Sequence, residues 1–152
     1  MDKNLPEINI GKRSIPLFYS TYETIAIQRE IGCTAFQLNE KVFGTETIDE
    51  EKDPTLDNIR LTVDKDPDKM EKLGILIKIL GNAGLEENGQ EPDLTTKWVL
   101  RNMKPVMIPI YAMVAMTVIV NGNIMEAKEE KPKAEETDVI LEEENAKKQP
   151  EN

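Results

Sequence analysis

Histidine does not occur among the 152 residues, and Cys33 is the one cysteine. A nucleophilic thiol needs a base or a cation to draw off its proton. Cys33 follows Gly32 at the expected carboxyl end of a helix, where the dipole disfavours a thiolate. The adjacent carboxylates Glu86/Glu87 and Glu129/Glu130 stand in polar stretches that desolvate neither partner, whereas acid catalysis needs a shifted pKa. Asp64, Asp66 and Asp68 alternate like the opening of a calcium loop. That loop requires Gly at its sixth position and Glu at its twelfth. Those positions are Lys69 and Ile75, so the expected use is helix capping. Gly81-Asn82-Ala83-Gly84 has the spacing of a loop that clamps nucleic acid, but such a loop needs basic neighbours and Glu86 and Glu87 follow. No catalytic, metal-ligating or cofactor-binding set emerges, and a non-enzymatic protein is expected.

What remains is surface chemistry, and one stretch concentrates it. Residues 94–121, LTTKWVLRNMKPVMIPIYAMVAMTVIVN, contain no acid in a chain of net charge −10, and four of its seven methionines. From 106 to 120 only Pro109 and Thr117 interrupt the apolar run. A helix apolar on nearly every side must be enclosed by its own domain or by a partner. The run falls short of the roughly 18 residues that suggest a bilayer span, and Pro109 lies inside it, so a membrane is not the expected partner. Thioethers are flexible and fit apolar partners of varied shape, and tryptophan is enriched at interfaces. The candidate partner-binding residues are therefore Trp98, Met103, Met107, Ile110, Met113, Val114 and Met116.

Charge narrows the partner further. Residues 122–152 hold ten acidic and five basic side chains, net −5; residues 45–66 hold eight and three, also net −5. The rest is neutral. Duplex DNA and anionic membrane surfaces both need a basic face, so neither is expected. A single cysteine fits a reducing cytosol, and MDKNLPEINI has neither the basic nor the apolar region of a secretion signal.

The elements that must hold this stretch can be read in order. EINIGKRSIPLF (7–18) predicts a β-hairpin around Gly11-Lys12, with Ile8, Ile10, Ile15 and Leu17 on one face. A helix near 21–31 follows, capped by Ser20 with Glu23, with Tyr22, Ile25, Ala26 and Ile31 as its core stripe. Thr34 and Gln37 repeat the cap for a short helix near 35–43, ended by Gly44. Residues 45–66 read as an exposed, mobile acidic loop, with a short strand near 59–63. Asp66-Pro67 opens a helix over 67–80, buried along Met70, Leu73, Leu76, Ile77 and Leu80 and ended by Gly81 and Gly84. Pro105 and Pro109 divide the apolar stretch into helices near 94–104 and 106–121, the second ended by Asn121-Gly122-Asn123. The expectation is an α+β, mostly helical protein: an N-terminal β-hairpin, four to five helices in one domain over 1–123, and a disordered acidic C-terminal tail over 124–152, in which 137–147 could form a transient helix.

The hairpin leading into YSTYETIAIQREIG, then MEKLGILIKILGNAGLEENGQEPDLTTKWVLRNMKP, then an apolar helix and an acidic tail, resembles the small tail assembly chaperones of long-tailed phages and prophages of Gram-positive bacteria. The resemblance covers about residues 5–123 and lies in the order of elements. It implies a holdase without ATP, cofactor or chemistry, acting in the bacterial cytoplasm. Its client would be the tape measure protein, a long helical chain kept soluble until the tail tube polymerises around it. The tail tube protein and a second copy of the chain are further candidate partners. It also implies a longer form made by ribosomal frameshifting; Ala146-Lys147-Lys148 can be encoded with the slippery heptamer A AAA AAG. The alternative is a structural tail or connector protein retained in the virion, which would appear in purified particles at fixed copy number. An acidic mimic of DNA would need its carboxylates on a rigid surface, and here they crowd into a loop and a tail.

Overall fold

The computed structural model of the chain describes residues 4–53, 55 and 58–134, with 124–134 as backbone only. Among the described residues it is α+β: an N-terminal antiparallel hairpin followed by five helices, four α and one π, with three short 3₁₀ turns and a second small hairpin between them. By its internal contacts the chain divides into residues 1–118 and 119–152.

Strands β1 (Glu7–Ile10) and β2 (Arg13–Pro16) pair with Ile10 opposite Arg13, leaving Gly11-Lys12 as a two-residue turn. Gly11 sits at φ +62°, which its missing Cβ permits. Ile8, Ile10, Ile15 and Leu17 are all buried, as the alternation predicts. Pro16 closes β2, where its missing N–H costs no ladder bond.

Helix α1 (Thr21–Glu30) starts as expected but buries a different face. The Ser20 Oγ accepts from the Tyr22 N–H and donates to Glu23 Oε1 at 2.5 Å. That hydroxyl lets Glu23 turn inward above Ile27 and Ile31, all three buried. Tyr22, expected in the core, is 75 % exposed, and Ile25 is exposed as well. Positions 23, 27 and 31 make one i, i+4 stripe, and the aromatic and β-branched residues beside it face outward. The short helix becomes a 3₁₀ turn (Ala35–Gln37) running into a π turn (Asn39–Phe43). Gln37 Oε1 accepts the Thr34 N–H at 2.9 Å. Leu38, Val42 and Phe43 are buried, whereas Phe36 is 97 % exposed.

The acidic segment 45–66 carries more structure than its composition suggests. Strands β3 (Thr45–Thr47) and β4 (Ile59–Leu61) form a second hairpin, followed by a 3₁₀ turn (Val63–Lys65). Its organiser is the buried Asn58, whose amide nitrogen donates to the carbonyls of Asp49, Lys52 and Asp53 at 2.9–3.3 Å while its Oδ1 accepts the Asp49 N–H at 3.0 Å. An N58D change removes those donors and sets a carboxylate against three carbonyl oxygens. We expect it to raise amide hydrogen exchange across 45–53 and leave the helix over Pro67–Glu87 protected; unchanged exchange would show that the cage does not hold the hairpin.

Helix α2 (Pro67–Glu87) is the element against which β2, α1, the π turn, the second 3₁₀ turn and the helix over Thr96–Asn102 pack. The Asp66 cap accepts the Asp68 N–H at 3.0 Å, with Lys69 Nζ 3.4 Å from its other oxygen. Desolvation works against the charged form, but that N–H and the Lys69 ammonium win and hold the carboxyl below its ordinary pKa. Leu73, Leu76, Ile77 and Leu80 are buried as expected. The helix does not stop at Gly81 or Gly84. Neither takes a positive φ; Asn88-Gly89, with Gly89 at φ +74°, ends it instead. A Cβ at Gly81 would lie 2.5 Å from Leu94 Cδ1 and 3.0 Å from Ile15 Cγ2, and one at Gly84 would overlap the Pro16 carbonyl. These glycines let β2 and the chain at Leu94 approach the helix. Each costs about 1 kcal/mol of helix propensity, while burying side chains such as Ile15, Leu17 and Leu94 returns about 1.5–3 kcal/mol apiece.

Asn82 lies between those glycines and has its own task. Its Nδ2 donates to the Leu94 carbonyl at 3.1 Å and its Oδ1 accepts the Leu94 N–H at 2.9 Å. This two-point grip ties the entry of the apolar stretch to α2. Asn82→Ala would leave that peptide group without partners, and we expect a loss of about 2 kcal/mol in urea unfolding; no loss would mean Leu94 is held by packing alone.

Candidate partner-binding face

Helix α3 (Thr96–Asn102) begins at Thr95, whose Oγ1 accepts the Trp98 N–H at 3.1 Å. Pro105 then acts as expected. Met103 and Lys104 are extended before it, as the residue preceding proline must be, and a 3₁₀ turn (Pro105–Met107) leads into α4 (Ile108–Ala134). Pro109 does not divide the helix. It lies in the first turn, where its N–H would have had no helical partner.

The helix expected to end at Asn121-Gly122-Asn123 runs on to Ala134. Gly122 is not in the left-handed conformation, and its cost of about 1 kcal/mol is set against the good helix formers Met125, Glu126, Ala127 and Lys128 that follow. The tail from 135 onward, the transient helix over 137–147 and the lysines at 147–148 lie outside the described residues.

Along α4 the burial pattern separates two faces. Ile108, Tyr111, Ala112, Ala115 and Val118 are buried, at the i, i+3, i+4, i+7, i+10 spacing of a core stripe. The opposite side carries Val106, 83 % exposed in the preceding turn, then Ile110, 52 % exposed, then the half-buried Met113 and Val114 and the exposed Thr117. An ordinary surface helix would be charged there. Here no Asp, Glu, Lys or Arg occurs from 105 to 125, and the Thr117 hydroxyl donates to the Met113 carbonyl at 2.9 Å, which satisfies it within the helix. Beyond 118, Ile119 is buried and Val120 exposed.

The candidate residues therefore separate. Ile110 stands exposed on the outer face, and Met107, Met113, Val114 and Met116 are half-buried. Met103 is not offered to a partner: it is 7 % exposed at the end of α3, because the extended link into Pro105 turns it inward. Trp98 is half-buried with the Arg13 guanidinium 5.4 Å from its ring centroid. Val106, the most exposed apolar residue of the face, was missed because it precedes the regular helix. Its position directly after Pro105 was the available signal. Tyr22, Ile25 and Phe36 were missed as exposed residues because their apolar character points to a core.

Length bears on the rival environment. The 19 residues Pro105–Asn123 have a mean hydropathy of 1.7, and by length and composition they are enough to cross a bilayer, with a third of the segment buried. The expectation that the run is too short fails because the 3₁₀ turn at 105–107 leads straight into α4 and the helix continues past Val120.

Cys33 is buried, and that burial pushes its thiol pKa up, with Lys72 and Lys41 opposing less strongly. A raised folded-state pKa leaves stability independent of this group below the ordinary thiol range. Above it the unfolded chain loses its proton first, so stability falls. We expect alkylation of the native protein to be far slower than of the denatured chain; equal rates would place Cys33 at the surface. Compared with family models, with curated proteins and with solved structures, the chain matches none of them.

Proposed function

We propose that this protein is a phage tail assembly chaperone: a non-enzymatic holdase that binds amphipathic helical segments of the tape measure protein and keeps them soluble while the tail forms. The observation that carries the reading is the outer face of α4 and the turn before it, Val106, Ile110, Met113 and Val114, apolar where a surface helix is ordinarily charged. An amphipathic client helix laid against such a face buries its own apolar stripe. Half-buried methionines beside it adapt to successive client segments of different shape. The net charge of −10 keeps the loaded complex in solution.

Co-expression tests this. With the long helical tail protein encoded nearby, we expect a co-purifying complex and a client shifted from pellet to supernatant. A client equally insoluble with and without the chain would overturn the reading. Recovery of the chain in the membrane fraction, with no client, would assign α4 to a bilayer instead.

A further inference from the structure

One cleft has a charge opposite to that of the whole protein. It lies between the β1–β2 turn and the end of α3, measures about 780 Å³, and is lined by Lys12, Arg13, Trp98, Arg101 and Lys104 with no acidic residue in its wall. Lys12, Arg101 and Lys104 are exposed. Arg13 is partly engaged, 3.2 Å from Asp93 and over the Trp98 ring. The cleft ends at Pro105, and Val106 begins the apolar face.

We propose that this cleft binds carboxylates on the margin of a partner helix whose apolar stripe lies along α4. For the helix stripe the inference rests on the function proposed above; for the carboxylates it rests on the cleft alone. Two features favour an acidic peptide over a nucleic acid. A polyanion long enough to track a groove would meet the field of a −10 chain, which repels it. A few carboxylates at one end of an apolar stripe would not, and they match the order of the surface, basic cleft first and apolar face next. Guanidinium groups pair with carboxylates, as with phosphates, through two parallel hydrogen bonds, and Arg13 can exchange its exposed Asp93 for a partner acid at little cost.

Trp98 is the sole tryptophan, so its emission reports occupancy of this cleft. The probes are three tryptophan-free amphipathic peptides of about five helical turns with one shared apolar stripe, flanked at one end only by Glu, Gln or Lys. We expect the Glu peptide to shift Trp98 emission and to bind about tenfold tighter than the Gln peptide, with the Lys peptide weakest, as complementary charge at an interface rim predicts. The preference should vanish in the Arg101→Gln/Lys104→Gln variant and near ~1 M salt, where screening reaches ~3 Å. Equal binding of the three peptides, or a silent Trp98, would overturn the inference while leaving the apolar face intact. A short oligothymidylate that displaces the Glu peptide at equal concentration would overturn it in favour of nucleic acid. If the Glu preference persists in Ile110→Asp with unchanged affinity, the cleft stands and the client-binding face falls.

Discussion

Gly84→Ala is expected to cost about 3 kcal/mol or more, the upper range for forcing atoms into a packed interior. The sign is the informative part. Alanine in place of a helical glycine ordinarily stabilises by about 1 kcal/mol, and Gly84 is helical. At this position a Cβ would overlap the Pro16 carbonyl and come within 2.8 Å of the Leu17 nitrogen. Backbone cannot rotate away as a side chain can. The hairpin would have to lift from α2, loosening the buried Ile15 and Leu17 and the Phe18 N–H bond to the Leu80 carbonyl at 3.1 Å. Gly74→Ala provides the control. The three atoms nearest its Cβ would all belong to the side chain of Leu100, which can change rotamer where backbone cannot, so its cost should be smaller. Thermal unfolding by circular dichroism reads both. A Gly84→Ala protein that melts at or above the parent temperature would show that β2 does not rest on α2.

Ile110→Asp should abolish client capture without unfolding the protein. Ile110 is half-exposed in the first turn of α4, where a carboxylate favours the helix through its dipole. A folding defect is therefore not expected, and loss of binding reports the face itself. A residue at the centre of an apolar contact is worth about 2 kcal/mol, or roughly thirtyfold in affinity. Met113→Asp, one turn further along the same face, should act in the same direction, while Thr117→Ala should change little because its hydroxyl is bonded within the helix. Pull-down of the client with normal yield by a folded Ile110→Asp variant would move the contact elsewhere. The exposed Tyr22 and Phe36 would then be the next surfaces to test.

Local rules carried much of the fold. The hairpin, its register and its buried face follow from period-two alternation around Gly11-Lys12, because a two-residue turn leaves no freedom in pairing. The starts of α1 and α2 follow from Ser20 and Asp66, whose side chains each accept a backbone N–H two residues on. Pro105 separated α3 from α4 because it constrains the residues immediately before it. The acid-free stretch identified the candidate face, since a run without charge stands out in a chain of −10 whatever its conformation.

Tertiary structure decided the points where a residue's neighbour is distant in sequence. Gly81 and Gly84 read as stops because glycine ends helices; they are instead where β2 and Leu94 come close, and that approach depends on a hairpin some 65 residues earlier in the chain. Asn82 and Asn58 look like loop residues, yet each satisfies the backbone of a separate segment. The buried side of α1 was set by Glu23 turning inward under Ser20, so Tyr22 and Ile25 face solvent despite their apolar character. On α4, where every side is apolar, sequence can mark the helix but not choose its inner face. Only packing separates Tyr111, Ala112 and Ala115 from Val106, Ile110 and Met113, because hydrophobic burial is non-directional and geometry alone determines which of two equivalent stripes loses its water.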